Sequence, residues 1–571
     1  MKIGYAGSHI QLSEQPLLAR GEPLMDRAAF GLAQHCLGLL RLRGNVAGAQ
    51  IAMLVGPGNN GADALVAAAQ LAKRPVAITV YLTQDPALRS ATQRAALSRL
   101  SHTQVNVVEL ADTNDLGAVA RSLATVDLLL DALLGIGASG PVRGLPGALL
   151  RSVNLELGGV GGAVAKDRQP PVRVAVDIPT GVDSATGAIT DHDAAFWADH
   201  TVTFGGYKTG TLVGPGALAS GALHLVDIGL PIATTQDQIH VLEYGDLAGL
   251  GIIGMPALAA HKFTAGVLGQ ITGSTRYPGA GVLTAGAALA SGIGLLRCLG
   301  SQDLVTEIRS SHPEIVGHPG PGVTQDEPNA KAIRVNAWVW GSGVAGGSGQ
   351  ETRIARASEN LDQLNAPGHG DQLETSHGPV PQVLDAGALT LLAAKVIQPT
   401  PFMVLTPHAG ELAALLTTMT GRKVTRPEVE AEPLRYARQA QRLTGTVVVL
   451  KGPVSIIAGP HATFAQRDGS ARMATAGSGD VLAGLLGSLL AQHYDRIRDI
   501  ASIAAAAVLT HGLAGRVAAG EIRRGNTETD HEGTESWVPT GVSRPISATM
   551  MIQSLPVILR TTAATLGKIT P

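Results

Sequence analysis

Short apolar runs alternate along most of the chain with longer Ala- and Leu-rich stretches, and glycine or proline marks most switches between them. The run QIAMLV at 50–55 passes through GPGNNG at 56–61 into an Ala-rich segment at 62–71, which predicts a strand, a tight turn and a helix. Further buried strands are predicted at 77–82, 126–130, 172–176 and 201–204. After HLVDIGLP at 224–231 the polar residues 234–237 form a connector, and a second pattern of the same kind begins near His261. Its predicted strands are 267–272, 337–340, 383–385, 402–406 and 447–450. Such alternation predicts mostly parallel sheets covered by helices on both faces.

Three stretches break the pattern. Residues 158–171, 343–379 and 520–545 are rich in Gly, Pro and polar side chains and read as surface insertions or mobile loops. The uncharged stretch 277–296 has the length of a membrane span, but its Gly, Ala, Ser and Thr content predicts a buried Ala-rich helix instead.

With 571 residues the chain exceeds what one hydrophobic core organises, and two large domains are expected, at 1–235 and 236–571. Apolar residues at 45% and charged residues at 15% are a globular balance. Aromatics are only 3% and glycines number 71, so small side chains must carry much of the packing. The net charge of -2 gives no general attraction for nucleic acid or anionic lipid, so a phosphorylated small molecule has to be held locally. Cys36 and Cys298 alone make no disulfide framework and fit a reducing cytoplasm. The opening MKIGYAGSHIQLSEQ lacks the charged and apolar regions of a secretory signal, and a cytoplasmic location is expected.

In the first half, GPGNNG has the spacing of a dinucleotide-binding turn, and Asp85 follows at about the interval such a fold uses for a ribose. Asp63, however, stands where a pyrophosphate would approach the helix and would repel it, although it could cap that helix. DALLGIGASGP at 131–141 and VAVDIPTGVDSATG at 174–187 follow predicted strands. Loops after strand carboxyl ends share one crevice in an open α/β sheet, so Asn59, Asn60, Asp63, Asp131, Asp177 and Thr180 are expected in one site whose oxygens suit a hard cation. Lys208, in TFGGYKTG at 203–210, adds a partner for acid/base work. Taken singly, the plainer reading is favoured, with Asp131 and Asp177 capping turns, Asn60 accommodating a left-handed turn and Lys208 solvated, and only their joint occurrence points to a site.

LMDRA, GPGNNGADALVAA, DALLGIG, VDIPTG, TFGGYKTG and VDIGLP, in that order, resemble the NAD(P)H-hydrate epimerase family. The resemblance implies that Asn59, Asn60, Gly61, Ala62 and Asp63, then Gly135, Ile136, Gly137, Ala138, Ser139, Gly140 and Pro141, together with Asp177, contact the hydrated cofactor. It also implies K+ near Asn60, Asp131 and Thr180, with Asp177 and Lys208 as the acid/base pair that interconverts the epimers. Ala62 stands where the family usually has Gly, and Thr180 where it has Ser.

In the second half, ATAGSGDVLAG at 474–484 places a glycine turn directly before a helix that continues through Leu490. Amides at such a helix start hold anions, with Gly477, Ser478 and Gly479 allowing close approach and Asp480 positioned to accept a hydroxyl proton. The plainer reading is an Asp that only caps a helix. LKGPVS at 450–455 ends a strand with Lys451 and Gly452, suited to nucleotide phosphates, or leaves an exposed charge at a strand end. No GxxxxGK[ST] is present, which excludes a P-loop enzyme.

HKFTAGVLGQITGSTRYPGAG, VLDAGAL, LTPHAGEL, LKGPVS and ATAGSGDVLAGLLGSLLAQ resemble the ribokinase-like superfamily and, within it, the ADP-dependent (S)-NAD(P)H-hydrate dehydratases. The resemblance implies Ala280, Gly343, His408 and Asp480 at the hydrated cofactor, and Lys451, Gly452, Pro453, Val454, Ser455 and Gly479 at the adenine nucleotide. GSGVAGG at 341–347 stands where the family more often shows GPGLG, and SARM at 470–473 replaces its usual lead into the glycine turn. His408 reads alternatively as a turn residue after Pro407.

The expected fold is a Rossmann-like three-layer α/β/α domain followed by a ribokinase-like α/β domain. The expected function is repair of hydrated NADH and NADPH, by epimerisation of the R and S forms and dehydration of the S form at the expense of ADP, accompanied by Mg2+. Nucleic acid and membrane are not expected partners, and a homo-oligomer is. Competing readings are a ribokinase-like kinase fused to a Rossmann-like domain, a ligand sensor that has lost catalysis, and an NAD-dependent dehydrogenase.

Overall fold

The computed structural model describes residues 1–110, 115–158, 169–253, 257–320, 335–344, 346–347, 349–359, 380–524 and 537–560. They form two compact units, one spanning Lys2–Ile239 and the other Met1 with His240–Pro571.

The first unit contains β1 (Lys2–Tyr5), β2 (Gln50–Val55), β3 (Ala77–Leu82), β4 (Asn106–Glu109), β5 (Leu128–Ala132), β6 (Val172–Val176), β7 (His200–Phe204), β8 (Tyr207–Lys208) and β9 (Ala222–Val226). Seven of these make a parallel sheet in the order β4-β3-β2-β5-β6-β7-β9. The short β1 and β8 pair in parallel with each other. Period-two side-chain alternation divides the strands between two cores. Ile51, Met53 and Val55 pack with the helices Leu24–Leu42 and Asn59–Leu71, whereas Ala52 and Leu54 pack with Leu116–Leu123 and Gly144–Leu157. Leu65 and Leu130 are wholly buried, and truncating either to Ala costs about 2–5 kcal/mol.

β10 (Ile239–Val241) lies at the division between the units. The second unit then contains β11 (Val267–Ile271), β12 (Leu295–Gly300), β13 (Val316–Pro319), β14 (Ala337–Trp340), β15 (Gln382–Leu384), β16 (Met403–Leu405), β17 (Val447–Leu450), β18 (Ser455–Ala458) and β19 (Thr463–Gln466). They lie in the order β13-β12-β11-β14-β15-β16-β17-β18-β19, parallel as far as β17 and antiparallel from there to β19. Gly269 is required where the indole of Trp338 crosses it, because an added Cβ would lie 2.4 Å from that ring.

In both sheets the strand order reverses once, between β2 and β5 and between β11 and β14. Connections leave the sheet in opposite directions at such a point, and the crevice they open at the strand carboxyl ends is where ligands bind.

The predicted strands are present within two residues of their expected bounds, and the 277–296 stretch is the helix Pro278–Ala290 followed by the start of β12. Ile500–Ala518 is also long and apolar enough to cross a membrane, and most of it is buried in the core of the second unit. Two expectations need correction. The helix after GPGNNG begins at Asn59, not Ala62, because Gly58 already adopts the extended backbone of a helix cap. The stretches read as insertions also contain regular structure: Gln350–Glu359 is helical, and Ile522–Arg524 pairs with Trp537–Pro539 as a two-stranded ribbon. Residues 159–168, 360–379 and 525–536 lie outside the described set.

Candidate functional site

At the first reversal, Asn60 sits in the opening helical turn after β2 and its Nδ2 donates to the Leu134 carbonyl at 3.0 Å. Its Oδ1 is buried without a hydrogen-bond partner among the described residues. Gly135 follows closely, since a Cβ there would lie 3.3 Å from that of Asn60. Asp131, on β5, is fully buried and accepts from Thr180 N at 2.7 Å, Thr180 Oγ1 at 2.8 Å and Leu133 N at 3.2 Å. Burial nevertheless pushes its carboxyl up to about 6, the three hydrogen bonds acting against the shift. Gly61 is required at the turn, because a Cβ would lie 2.3 Å from the Gly56 carbonyl, whereas the Ala62 methyl is accommodated in the core. Beyond the Ile136 carbonyl, which accepts from Ser184 Oγ at 3.0 Å, the loop through Gly137, Ser139, Gly140 and Pro141 forms an exposed rim, with Ala138 partly covered.

Asp177 follows β6 with φ 65°, a left-handed conformation that costs a non-glycine residue about 1–3 kcal/mol and clusters at functional sites. The turn aims its carboxylate at the end of β7. There Oδ1 accepts from Phe204 N at 3.1 Å, Thr203 Oγ1 at 3.2 Å and Lys208 Nζ. Lys208 is 1% exposed and also donates to Thr203 Oγ1 at 3.1 Å and to the Phe204 carbonyl at 3.0 Å. It is an interior cation held by oxygens, not a solvated charge.

Two further carboxyls face this pair. Asp63 is not a cap, since no side chain caps the helix Asn59–Leu71. Burial, with the charges of Asp177 and Glu14, raises Asp63 well above the carboxylate range, against the pull of Lys208. Glu14, on the helix Gly7–Ala19, is raised for the same reasons, burial first. Sequence reasoning missed Glu14, which lies more than 40 residues before any motif of the site. Its one signal is a lone acid in an otherwise uncharged helix. Asp85 caps the 3-10 turn Pro86–Leu88, its Oδ1 accepting from the Ala87 amide.

At the second reversal, Gly343 has φ 68° and an added Cβ there would fall 2.4 Å from Ala280 Cβ, so these two predicted residues share one wall. The Gly343 carbonyl accepts from Ser274 Oγ at 2.8 Å. Next along the sheet, Asp385 follows β15 and is almost wholly buried, accepting from Lys451 Nζ at 2.7 Å, Thr406 Oγ1 at 2.8 Å and Ser342 Oγ at 2.9 Å. Burial alone would raise its pKa, but Lys451 and the two hydroxyls outweigh it and hold Asp385 below the usual range. Lys451 is raised in turn, the surrounding carboxylates overcoming its own burial. Asp385, Ser342 and Thr406 form a hub that sequence reasoning missed, although VLDAGAL and LTPHAGEL contain two of the three.

Asp480 occupies the first turn of the helix Ser478–Gln492, whose cap is Gly477 in the left-handed region at φ 89°. Burial, with the charge of Asp385, lifts Asp480 to about 6, against Lys451 and the hydroxyl of Ser342. A Cβ on Gly479 would lie 3.4 Å from Lys451 Nζ, so the lysine stands over the helix N-terminus and adds its charge to the amides there. His511 is buried and burial pushes it down to about 4; its Nε2 lies 2.9 Å from the Ser478 carbonyl, to which the neutral ring donates. Sequence reasoning missed this support as well. Lys451, Gly452, Pro453, Val454 and Ser455 form the turn between β17 and β18, with Gly452 and Pro453 exposed and Val454 buried. His408 caps the helix Ala409–Thr420, its Nδ1 accepting from Gly410 N at 3.0 Å and Glu411 N at 3.2 Å, while its side chain stays 59% exposed.

A family model described as the YjeF-related protein N-terminus matches residues 21–210, and one described as NAD(P)H-hydrate dehydratase matches residues 268–532. Fold, sites and models together define a two-unit α/β protein of the hydrate-dehydratase class with a YjeF-related first unit. Over 502 residues it is 36% identical to a bifunctional NAD(P)H-hydrate repair enzyme of Mycobacterium tuberculosis, covering 86% of this chain and 89% of that protein. A namesake in Mycobacterium leprae is 34% identical over 86% and 89% of the two chains, and one in Thermofilum pendens 30% over 88% of each. The chain belongs to the family of bifunctional NAD(P)H-hydrate repair enzymes. A solved ADP/ATP-dependent NAD(P)H-hydrate dehydratase of Bacillus subtilis, co-crystallized with ATP and Mg2+, is 21% identical with a TM-score of 0.41, over 56% of this chain and 97% of its own.

Proposed function

We propose that residues 1–235 interconvert the R and S epimers of hydrated NADH and NADPH, and that residues 236–571 return the S epimer to the reduced cofactor by consuming ADP. The observation that carries this reading is Asp480 at the mouth of a glycine-capped helix with Lys451 beside it. A carboxyl that titrates near 6 is a competent base at neutral pH, and the adjacent cation and amides suit a transferring phosphoryl group.

The ring hydroxyl of the hydrated cofactor is a poor leaving group. Asp480 accepts its proton while the hydroxyl oxygen bonds the terminal phosphorus of ADP and the bridging oxygen departs with AMP. The ring nitrogen lone pair then expels phosphate, and loss of the neighbouring ring proton restores the conjugated reduced ring. Mg2+ would ride on the phosphate oxygens of the nucleotide, as is usual for that ion. The wall of Ala280 and Gly343 would receive the hydrated nicotinamide ring, with His408 at the rim and the turn 451–455 beside the nucleotide.

In the first unit the reacting carbon bears both hydroxyl and ring nitrogen. Protonation of the hydroxyl lets the nitrogen lone pair release water, and return of water to the opposite face inverts the centre. Asp177 and Lys208 are the acid/base pair, with Asp63, its carboxyl raised well above the usual range, beside them as a further donor. Asn59 and the rim 135–141 would hold the nucleotide portion. The residues also fit K+: among the described residues Asn60 Oδ1 is a buried oxygen without a partner, and Asp131 is a buried carboxylate that no cationic side chain neutralises. Asn60, Asp131 and Thr180 would hold the ion, which when bound supplies a fixed positive charge at the crevice.

In a single-turnover reaction of the S epimer with ADP, AMP and phosphate should each form in equal amount to the reduced nicotinamide recovered. A phosphorylated nicotinamide that accumulates instead would favour the kinase reading.

A further inference from the structure

At the β7–β9 edge of the first sheet, three histidines meet away from both sites. His200 opens β7 and His224 lies on β9, two residues beyond the direct register partner of His200, so both side chains share one face. His200 Nδ1 and His224 Nε2 are 2.9 Å apart. The helix Leu24–Leu42 crosses that face at close range because Gly31 allows it: a Cβ at Gly31 would lie 2.4 Å from Val226. One turn further along the same helix face, His35 lies against His224 with ring centroids 3.9 Å apart and planes tilted by 41°. One potential ligand nitrogen from each ring lies within 4.8 Å of the other two. His35 Nε2 is buried and has no hydrogen-bond partner among the described residues.

Hydrophobic packing does not call for three imidazoles with nitrogens converging, one of them an orphan. A tetrahedral Zn2+ with Zn–N bonds of about 2.0–2.1 Å needs its nitrogens roughly 3.3–3.4 Å apart, inside the spread seen here. We propose that His35, His200 and His224 form a binding site for a divalent transition metal of the imidazole-preferring kind, Zn2+ or its neighbours Ni2+ and Cu2+. The ion would clip the helix Leu24–Leu42 to β7 and β9, with the fourth position left to solvent.

Burial lowers the pKa of each ring, to about 4 at His35, with the neighbouring histidines adding to the effect at His35 and His224. Of the nearby charges, Asp199 favours a cation at His200, while Lys2 opposes one at His224.

The test uses the untagged full chain, stripped with chelator and titrated with Zn2+ in a calorimeter at neutral pH, followed by X-ray absorption of the loaded protein. One equivalent should bind, with imidazole scattering at the zinc edge and a raised melting temperature. His35→Gln and His224→Gln should each weaken that equivalent by at least ~100-fold, more than the ~10–100-fold usual for losing an outer partner. His461→Gln, at an exposed position outside the cluster, should change nothing. Should a variant fold poorly by near-ultraviolet circular dichroism, the scattering of the wild-type protein still decides. No stoichiometric uptake, zinc without imidazole scattering, or uptake unchanged in well-folded His35→Gln and His224→Gln would overturn the proposal.

Discussion

Each unit buries a lysine against an aspartate at the carboxyl ends of its strands, yet the two pairs are placed for different tasks. In the first unit Asp177 itself carries the backbone strain, and other carboxyls, Asp63 and Glu14, surround the pair. In the second unit the strain falls one residue later, on Ala386 at φ 44°, and Asp385 has its oxygens taken by Lys451, Thr406 and Ser342. The proposed base there is Asp480, supplied by the separate helix Ser478–Gln492. On the proposed function a buried Lys–Asp pair is the reactive couple in one unit and the support for a reactive group in the other. Its role is set by what else shares the crevice.

The largest effects should come from removing the reactive groups. Asp480→Asn should lower dehydration by about 10²–10⁴-fold while epimerisation is unchanged, measured on the separated epimers. Lys208→Met should show the converse. Asp177→Asn should lower epimerisation and also destabilise the first unit by about 3–5 kcal/mol, because it leaves Lys208 buried without its counter-charge, read by chemical denaturation.

Next in size is the supporting pair. Asp385→Asn should slow dehydration about 10-fold or more and alter its pH profile. In the wild type, activity should fall as pH drops through about 6, where Asp480 takes up its proton. Removing the Asp385 charge removes a cause that raises Asp480, so the acid limb should move to lower pH. A limb that stays in place would deny Asp385 its positioning role.

Smaller still is Glu14→Gln, which should reduce epimerisation a few-fold and shift its pH profile to lower pH, because one of the charges raising Asp63 is gone. The smallest effect should be a rise in melting temperature with K+. Asp131 is raised from 3.8 to about 6, so folding gains from its protonated form at low pH and loses that gain as pH rises through about 6. A cation beside the carboxylate offsets the loss only where the group is charged. K+ should therefore stabilise the protein more at pH 7.5 than at pH 5, relative to a bulky organic cation, and Asp131→Asn should abolish the difference.

The strands and the residues at their carboxyl ends were legible in sequence, because parallel strands buried on both faces leave short apolar runs that end in glycine, Asp or Asn. Asp131, Asp177 and Lys451 stand out for that reason, Lys208 through TFGGYKTG, and Asp480 through the glycine turn that opens its helix. Less visible were groups brought in by distant elements. Glu14 arrives on the first helix, and His511 supports Ser478 from 33 positions further along the chain. Asp385 lies within VLDAGAL, but nothing local shows that Lys451 turns towards it. The helix Gln350–Glu359 was hidden by surrounding Gly and polar composition, since a polar helix leaves no apolar run to read. His408 shows the opposite limit: its position after Pro407 is legible, and the structure uses it first as a cap.

The most direct test of the division of labour gives purified protein a mixture of hydrated NADH epimers with ADP and follows recovery of absorbance from the reduced ring. The wild type should recover the whole mixture, Lys208→Met only the S fraction, and Asp480→Asn none. Full recovery by Lys208→Met at the wild-type rate, or any rapid recovery by Asp480→Asn, would contradict the account.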